Sequence, residues 1–235
     1  MKSIIYYTDN RIKGIILELS QRSILRSGLP IHSCSLEPIV FGYNTVLEGK
    51  VRSYPTMCEQ ILTALKSSLA KYVFFCEHDV LYHPSHFDFI PERDDVYYYN
   101  VNNWRWDFPN DRAIQYDGLT SLSMLCCNRE LAIRHYELRL KLIEEQGLDK
   151  LRSREPRWAR VFGYEPGTKK RRKGGVTDED HVKRRSELPN IDIRHKRTFS
   201  APKTTLESFK HPPEDWKEVT LSQIPGWNLK ELFNL

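Results

Sequence analysis

Apolar positions in the first half of the chain switch between two periods. Ser3 to Tyr7 is a short apolar run of strand type, after which Ile12, Ile15, Ile16 and Leu19 recur at helical spacing, with Gly28 placed to end that helix. Pro30 to Leu36 predicts a second strand. Ser53 is a good N-cap with Pro55 in the first turn, and Met57, Ile61, Leu62, Leu65 and Leu69 then fall on one helical face. Tyr72 to Cys76, Val96 to Asn100 and Ser123 to Cys127 predict further strands, and Leu131, His135, Leu138 and Leu142 line a helix that Gly147 terminates. Strand alternating with helix predicts an α/β fold with a mainly parallel sheet flanked by helices.

After Asp149 the pattern degrades. Arg152 to Arg185 is rich in charge, Gly and Pro and holds no sustained period, while Ile191 to His195 alternates as a short strand. The last 35 residues carry Pro212, Pro213, Trp216, Pro225 and Trp227, which predicts an irregular tail over the core with one short helix near Asn228–Phe233. No internal repeat is visible.

One strand stands apart chemically. Tyr72-Val73-Phe74-Phe75-Cys76 is apolar throughout, as for a strand buried on both faces, and Glu77-His78-Asp79 follows at once. Continued strand alternation would send Glu77 and Asp79 to one side, about 7 Å apart, where they repel unless a cation lies between them. A divalent metal carrying a phosphate answers that need, and the carboxyl ends of strands are where open α/β sheets collect ligands. A solvated turn is the plainer reading.

Composition narrows the class. With 235 residues, 40% hydrophobic and 29% charged, the chain has the make-up of one large globular domain, or of one domain with a substantial appendage. No uninterrupted apolar stretch is long enough to span a membrane, and the N-terminus lacks a signal-peptide layout, so a cytoplasmic location is expected. Five cysteines without metal-ligand spacing are expected to be reduced and mostly buried. The net charge of +5 is unevenly placed: Arg152 to Arg197 holds 15 Lys or Arg against 7 Asp or Glu, and the rest of the chain is slightly acidic. A basic segment on a nearly neutral body suggests an anionic partner.

A first strand ending in Thr8-Asp9-Asn10, a strand ending in Glu77-His78-Asp79 and a late strand ending in Ile191-Asp192-Ile193-Arg194-His195 resemble a GT-A (Rossmann-like) glycosyltransferase, closest to small bacterial and phage members showing EHD where others show DxD. The resemblance implies a nucleotide-sugar donor, a UDP-sugar by type, and Mn²⁺ or Mg²⁺ on its diphosphate. Asp79 is then a direct metal ligand, Glu77 a ligand directly or through water, and His195 a further ligand. Thr8, Asp9 and Asn10 hold the nucleoside, with Glu77 and His78 beside the donor. Lys196, Arg197 and Lys203 neutralise the leaving diphosphate. Residues 1–150 would form the nucleotide-sugar-binding core, and residues 151–235 a basic, acceptor-side region and tail completing the same domain.

Each assignment has a plainer counterpart. His78 alternates away from the acids and suits a structural role. His195 shares a strand face with Ile191 and Ile193, which also suits a half-buried structural histidine. Asp9 or Asn10 would equally cap a helix starting near Arg11. An inverting transfer needs a carboxylate base, for which Asp117, Glu179 and Asp180 are candidates; Thr177 to His181 also looks like a helix start. Trp104 and Trp106, expected in a loop after the Tyr97-Tyr98-Tyr99 strand, could stack on an acceptor or fill the core. Lys169-Lys170-Arg171-Arg172-Lys173 is either a solubilising loop or a phosphate contact.

The expected function is therefore metal-dependent transfer of a sugar to an acceptor hydroxyl. One acceptor is a hydroxymethylated pyrimidine in double-stranded (phage) DNA, flipped out and gripped by its phosphates. The other is a surface polysaccharide or lipid-linked glycan. A nucleic-acid-binding module on a degenerate transferase fold is the non-enzymatic alternative. The sequence sets no oligomeric state.

Overall fold

The computed structural model describes residues 1–116, 120–148, 163, 165–168, 181–196, 203–209, 213 and 215–235. Its elements are β1 (Lys2–Thr8), α1 (Ile15–Leu25), β2 (Ile31–Ser35), β3 (Tyr43–Val46), α2 (Tyr54–Ser67), β4 (Tyr72–Cys76), β5 (Val80–Leu81), β6 (Tyr97–Asn100), β7 (Asn103–Asp107), β8 (Ala113–Gln115), β9 (Leu125–Asn128), α3 (Arg129–Gln146), β10 (His181–Arg184), β11 (Asn190–Arg194), β12 (Lys217–Val219) and a short α4 (Leu229–Phe233). The fold is mixed α/β. Two sheets form among the described residues, ordered β10-β6-β9-β4-β1-β2-β3 and β12-β8-β7-β11-β5.

The first sheet follows the predicted alternation. β1 pairs in parallel with β2 and β4, and β2 with β3. Both faces of β4 are buried, as its apolar run requires: Val73 and Phe75 pack under α2 and α3, while Phe74 and Cys76 face the cluster that includes Ile24 of α1. Ser53 caps α2, its hydroxyl accepting from the Thr56 amide. All five cysteines are buried and free.

Four expectations change. β9 runs antiparallel to both β4 and β6 inside an otherwise parallel sheet, an order its four residues do not encode. α2 stops at Ser67, so Leu69 lies beyond its end and is 86% exposed. The inward positions of α3 are Leu131, Ala132, His135, Tyr136, Arg139 and Ile143, and Leu138 faces out. Trp104 and Trp106 lie on strand β7, not in a loop: Asn103-Trp104-Arg105-Trp106-Asp107 alternates with period two, and the tryptophans point inward. They pack with Leu81, Ile191, Ile193, Leu229 and Phe233 in the core of the second sheet, Trp106 fully buried with its indole N–H donated to the Asn110 carbonyl at 2.8 Å. Core filling is the role their burial supports.

Helix α1 joins the sheets, with Ile24 in the first sheet's cluster and Ile16 and Leu19 against the second's. The chain passes from one sheet to the other at Glu77-His78-Asp79, which lies between the end of β4 and the start of β5.

Candidate active site at the seam of the two sheets

The turn after β4 separates the two carboxylates. The β1–β4 register sets Tyr6 beside Cys76, so Tyr7 and Glu77 come next to each other, and the Tyr7 hydroxyl donates to the Glu77 carboxylate. The Glu77 amide donates to the Tyr82 hydroxyl at 2.9 Å, which in turn donates to the Ser123 carbonyl at 3.1 Å. Strand alternation ends at Cys76, and the backbone turn at His78-Asp79 redirects Asp79 toward β11. The two acids therefore do not sit on one strand face.

β5 runs antiparallel to β11, pairing Val80 with Asp192, and the Ile193 amide donates to the Asp79 carbonyl at 2.9 Å. That register brings the end of β11 to Asp79. His195 Nε2 lies 3.3 Å from Asp79 Oδ2, and both residues are under one-tenth exposed. Burial pushes Asp79 up, but the His195 hydrogen bond and the charges of His78, His195 and Arg194 outweigh it, so Asp79 is held below its ordinary value. Glu77 goes the other way: burial first, then the Asp79 charge, raise it to about 8 against the opposing Tyr7 hydrogen bond. One acid is kept ionised and its neighbour kept protonated near neutrality, the pattern expected when two close carboxyls divide their roles.

An ionised carboxylate beside an imidazole nitrogen offers one hard oxygen and one borderline nitrogen donor, a set that suits Mn²⁺ better than Mg²⁺. One carboxylate oxygen of Glu77 is held by the Tyr7 hydroxyl, and among the described residues no three His, Cys, Asp or Glu side chains form a ready metal cage. A metal here would have Asp79 and His195 as protein ligands, with the remaining positions left for donor oxygens and water.

The turn after β1 opens next to β4. Thr8 Oγ1 accepts from the Asn10 amide, and Asn10, at a left-handed φ of 60°, accepts from the Leu36 and Glu37 amides at 2.9 and 3.0 Å. Asn10 thus ties β1 to the end of β2. Asp9 is ion-paired with Arg52 at 2.6 Å. The helix-cap reading of this turn does not hold, because α1 begins at Ile15 with Gly14 as its N-cap and no side-chain cap.

Several site residues were missed by the sequence reading. On β11, Asp192 is 5% exposed and sits between Arg194 at 3.4 Å and Arg105 of β7 at 3.6 Å, opposite it in register. Arg105 donates to the Tyr116 hydroxyl at 2.6 Å. An acid between two buried isoleucines was the available signal. Glu165 is the second miss. Its segment is held by the Tyr99 hydroxyl donating to the Pro166 carbonyl at 2.6 Å and by His181 bonded to the Gly167 carbonyl at 2.9 Å. Burial raises Glu165 to about 7, opposed by Arg139, and its charge contributes to the rise of Glu77. Arg139 is itself buried, donating to Tyr54 at 2.6 Å and to His135 at 3.0 Å, which locks α3 to α2.

Lys196 follows His195 and is exposed, and Lys203 is exposed beside Phe209. Asp117, Glu179, Asp180, Arg197 and the run Lys169-Lys170-Arg171-Arg172-Lys173 lie outside the described residues. A cleft of about 600 Å³ lies elsewhere, between α1 and α4, with Trp227, Arg22 and Glu231 among its walls.

No protein-family model and no curated protein sequence matches the chain. Among solved structures, one similar chain is a glycosyltransferase involved in the glycosylation of the major capsid of PBCV-1; it is 9% identical, with 78% of this chain and 81% of that chain covered and a TM-score of 0.44. Among the described residues no helix is long and apolar enough to cross a membrane.

Proposed function

We propose that this chain is a metal-dependent glycosyltransferase that moves a sugar from a nucleotide-diphosphate sugar to an acceptor hydroxyl. The observation that carries the proposal is the meeting of Asp79 and His195, far apart in sequence, 3.3 Å from each other beyond the carboxyl end of β4. Asp79 and His195 would hold Mn²⁺ or Mg²⁺. When bound, such a metal neutralises the charge that grows on the leaving diphosphate. Glu77, protonated and hydrogen-bonded to Tyr7, backs the pair without adding a second negative charge. The Thr8-Asp9-Asn10 turn, with Arg52 on Asp9, is the proposed nucleoside site, and Lys196 is an exposed cation within one residue of His195. A base for the acceptor proton should titrate near the working pH, and Glu165 joins Asp117, Glu179 and Asp180 as a candidate.

Two acceptors remain in play, a hydroxymethylated pyrimidine in DNA and a glycan. The burial of Trp104 and Trp106 removes one of the two features that favoured DNA, leaving the basic run as its support. The experiment is incubation with Mn²⁺, a panel of nucleotide sugars, and either DNA carrying hydroxymethylated pyrimidine or oligosaccharides, followed by mass spectrometry. Transfer to any acceptor supports the proposal. Absence of both transfer and donor hydrolysis across the panel contradicts it and favours a non-catalytic binding module.

A further inference from the structure

Beyond the acidic pair, the same electrostatic chain leads to a group of aromatic rings. Asp192 of β11 pairs in register with Val80, the residue after Asp79, and with Arg105 of β7, which donates to the Tyr116 hydroxyl at 2.6 Å. Tyr116 stacks on Trp216 with ring centroids 5.8 Å apart and planes 12° from parallel. Phe209 meets both edge-on, at 5.2 Å from Tyr116 and 5.9 Å from Trp216. Tyr116 is buried, whereas Trp216 and Phe209 are half-exposed.

These rings are held in place. Arg105 fixes Tyr116 through its hydroxyl and lies over the ring at 5.3 Å. β12 pairs with β8, which anchors the strand directly after Trp216, and Trp216 is hydrogen-bonded to Glu218. A pre-set aromatic face costs little ordering when a ligand lands on it.

The nearby charges indicate which ligand fits. Arg105 is paired with Asp192, and Arg112 with Glu218 at 2.6 Å. A phosphate backbone needs several uncompensated cations; of the cations at this platform Arg105 and Arg112 already have carboxylate partners, and Lys203 lies over the Phe209 ring at 5.1 Å. A neutral, flat, hydroxyl-rimmed ring needs an aromatic surface with hydrogen-bonding groups at its border, as here.

Resting on the glycosyl-transfer reading, we propose that Trp216 and Phe209, backed by Tyr116, form the acceptor subsite and bind a neutral sugar ring of a glycan. The subsite lies on the second sheet, where Arg105 joins the Tyr116 hydroxyl to Asp192 of β11, the strand that leads into His195.

The test is saturation-transfer NMR with the full chain and the neutral disaccharides maltose, lactose and cellobiose, with and without UDP and Mn²⁺. A hydroxymethylcytosine DNA duplex serves as the competing ligand. At least one disaccharide is expected to bind the parent. Trp216→Ala is expected to weaken it roughly tenfold, with Trp216→Phe largely retaining it. UDP binding should be the same in all three proteins, which also shows that they are folded. Three results overturn the subsite: no disaccharide response in the parent, unchanged binding in Trp216→Ala, or loss of DNA binding alone in that variant. Failure of UDP and Mn²⁺ to bind the parent bears instead on the transfer reading, because the sugar titration is also read without them.

Discussion

The β1–β4 part of the first sheet and the second sheet are assembled in opposite ways. In the first, β1, β2 and β3 follow one another in the chain and lie side by side in parallel, with β4 on the other flank of β1. The second gathers β5, β7, β8, β11 and β12 from stretches between Val80 and Val219, each of two to five residues. The first sheet supplies the acids at the end of a buried strand, and the second supplies His195, Arg194 and Asp192 from the end of β11. Neither half holds a complete site. The chemistry sits where the parallel β1–β4 part of the first sheet meets a second sheet gathered from distant segments.

This contrast can be broken experimentally. The largest effect is expected in the second sheet's core: Trp106→Ala empties the centre of the cluster around Ile193 and Phe233 and should cost about 3–5 kcal/mol. Because α1 packs on both sheets, denaturant unfolding of this variant should remain a single transition. A biphasic curve, with the first sheet surviving alone, would separate the sheets and undo the idea of a shared seam. Asp79→Asn comes next. It keeps the shape but removes the charge facing His195, and should lower turnover by about 10²–10³-fold, with a modest fall in melting temperature because the fold favours the ionised Asp79. Equal turnover in the variant and the parent would take Asp79 out of the reaction.

His195→Ala should weaken metal-dependent donor binding by roughly 10–100-fold, with a smaller loss of thermal stability. The reverse balance, near-normal donor affinity with a large stability loss, marks a structural histidine. The smallest effect concerns Glu165. Burial raises its folded pKa to about 7, above its ordinary value, so its ionisation destabilises the fold as pH rises from the ordinary carboxylate range to about 7, and the penalty is absent at lower pH. Glu165→Gln removes that dependence. Its melting temperature relative to the parent should therefore rise by a few degrees between about pH 5 and about pH 8. A difference independent of pH would show that Glu165 is not held in its raised state.

Legibility in the sequence followed the same division. Five consecutive apolar residues and an acidic triplet made β4 and the candidate site visible, and Ser53 with Pro55 announced α2. Apart from β11, visible in the alternation of Ile191 to His195, the second sheet escaped because its strands are very short and their partners lie far away, so local periodicity carries little of their pairing. Asn103 to Asp107 did alternate with period two, and its tryptophans belonged inside. Asp192, flanked by isoleucines, carried a signal of its own, because an acid on a buried strand needs partners. Glu165 had no local signal: its environment comes from Arg139 on α3 and from the seam, through tertiary structure alone. Asp79 and Glu77 were recognised as a pair, but strand alternation could not foresee the turn that sends one to His195 and the other to Tyr7.

The central claim is that Asp79 and His195 together hold a divalent metal on a nucleotide diphosphate. Its most direct test is calorimetric titration of UDP into the parent protein with Mn²⁺ and again with chelator, alongside Asp79→Asn with Mn²⁺. The account predicts binding in the first case and loss of most of the affinity in the other two. The same UDP affinity in all three would contradict it.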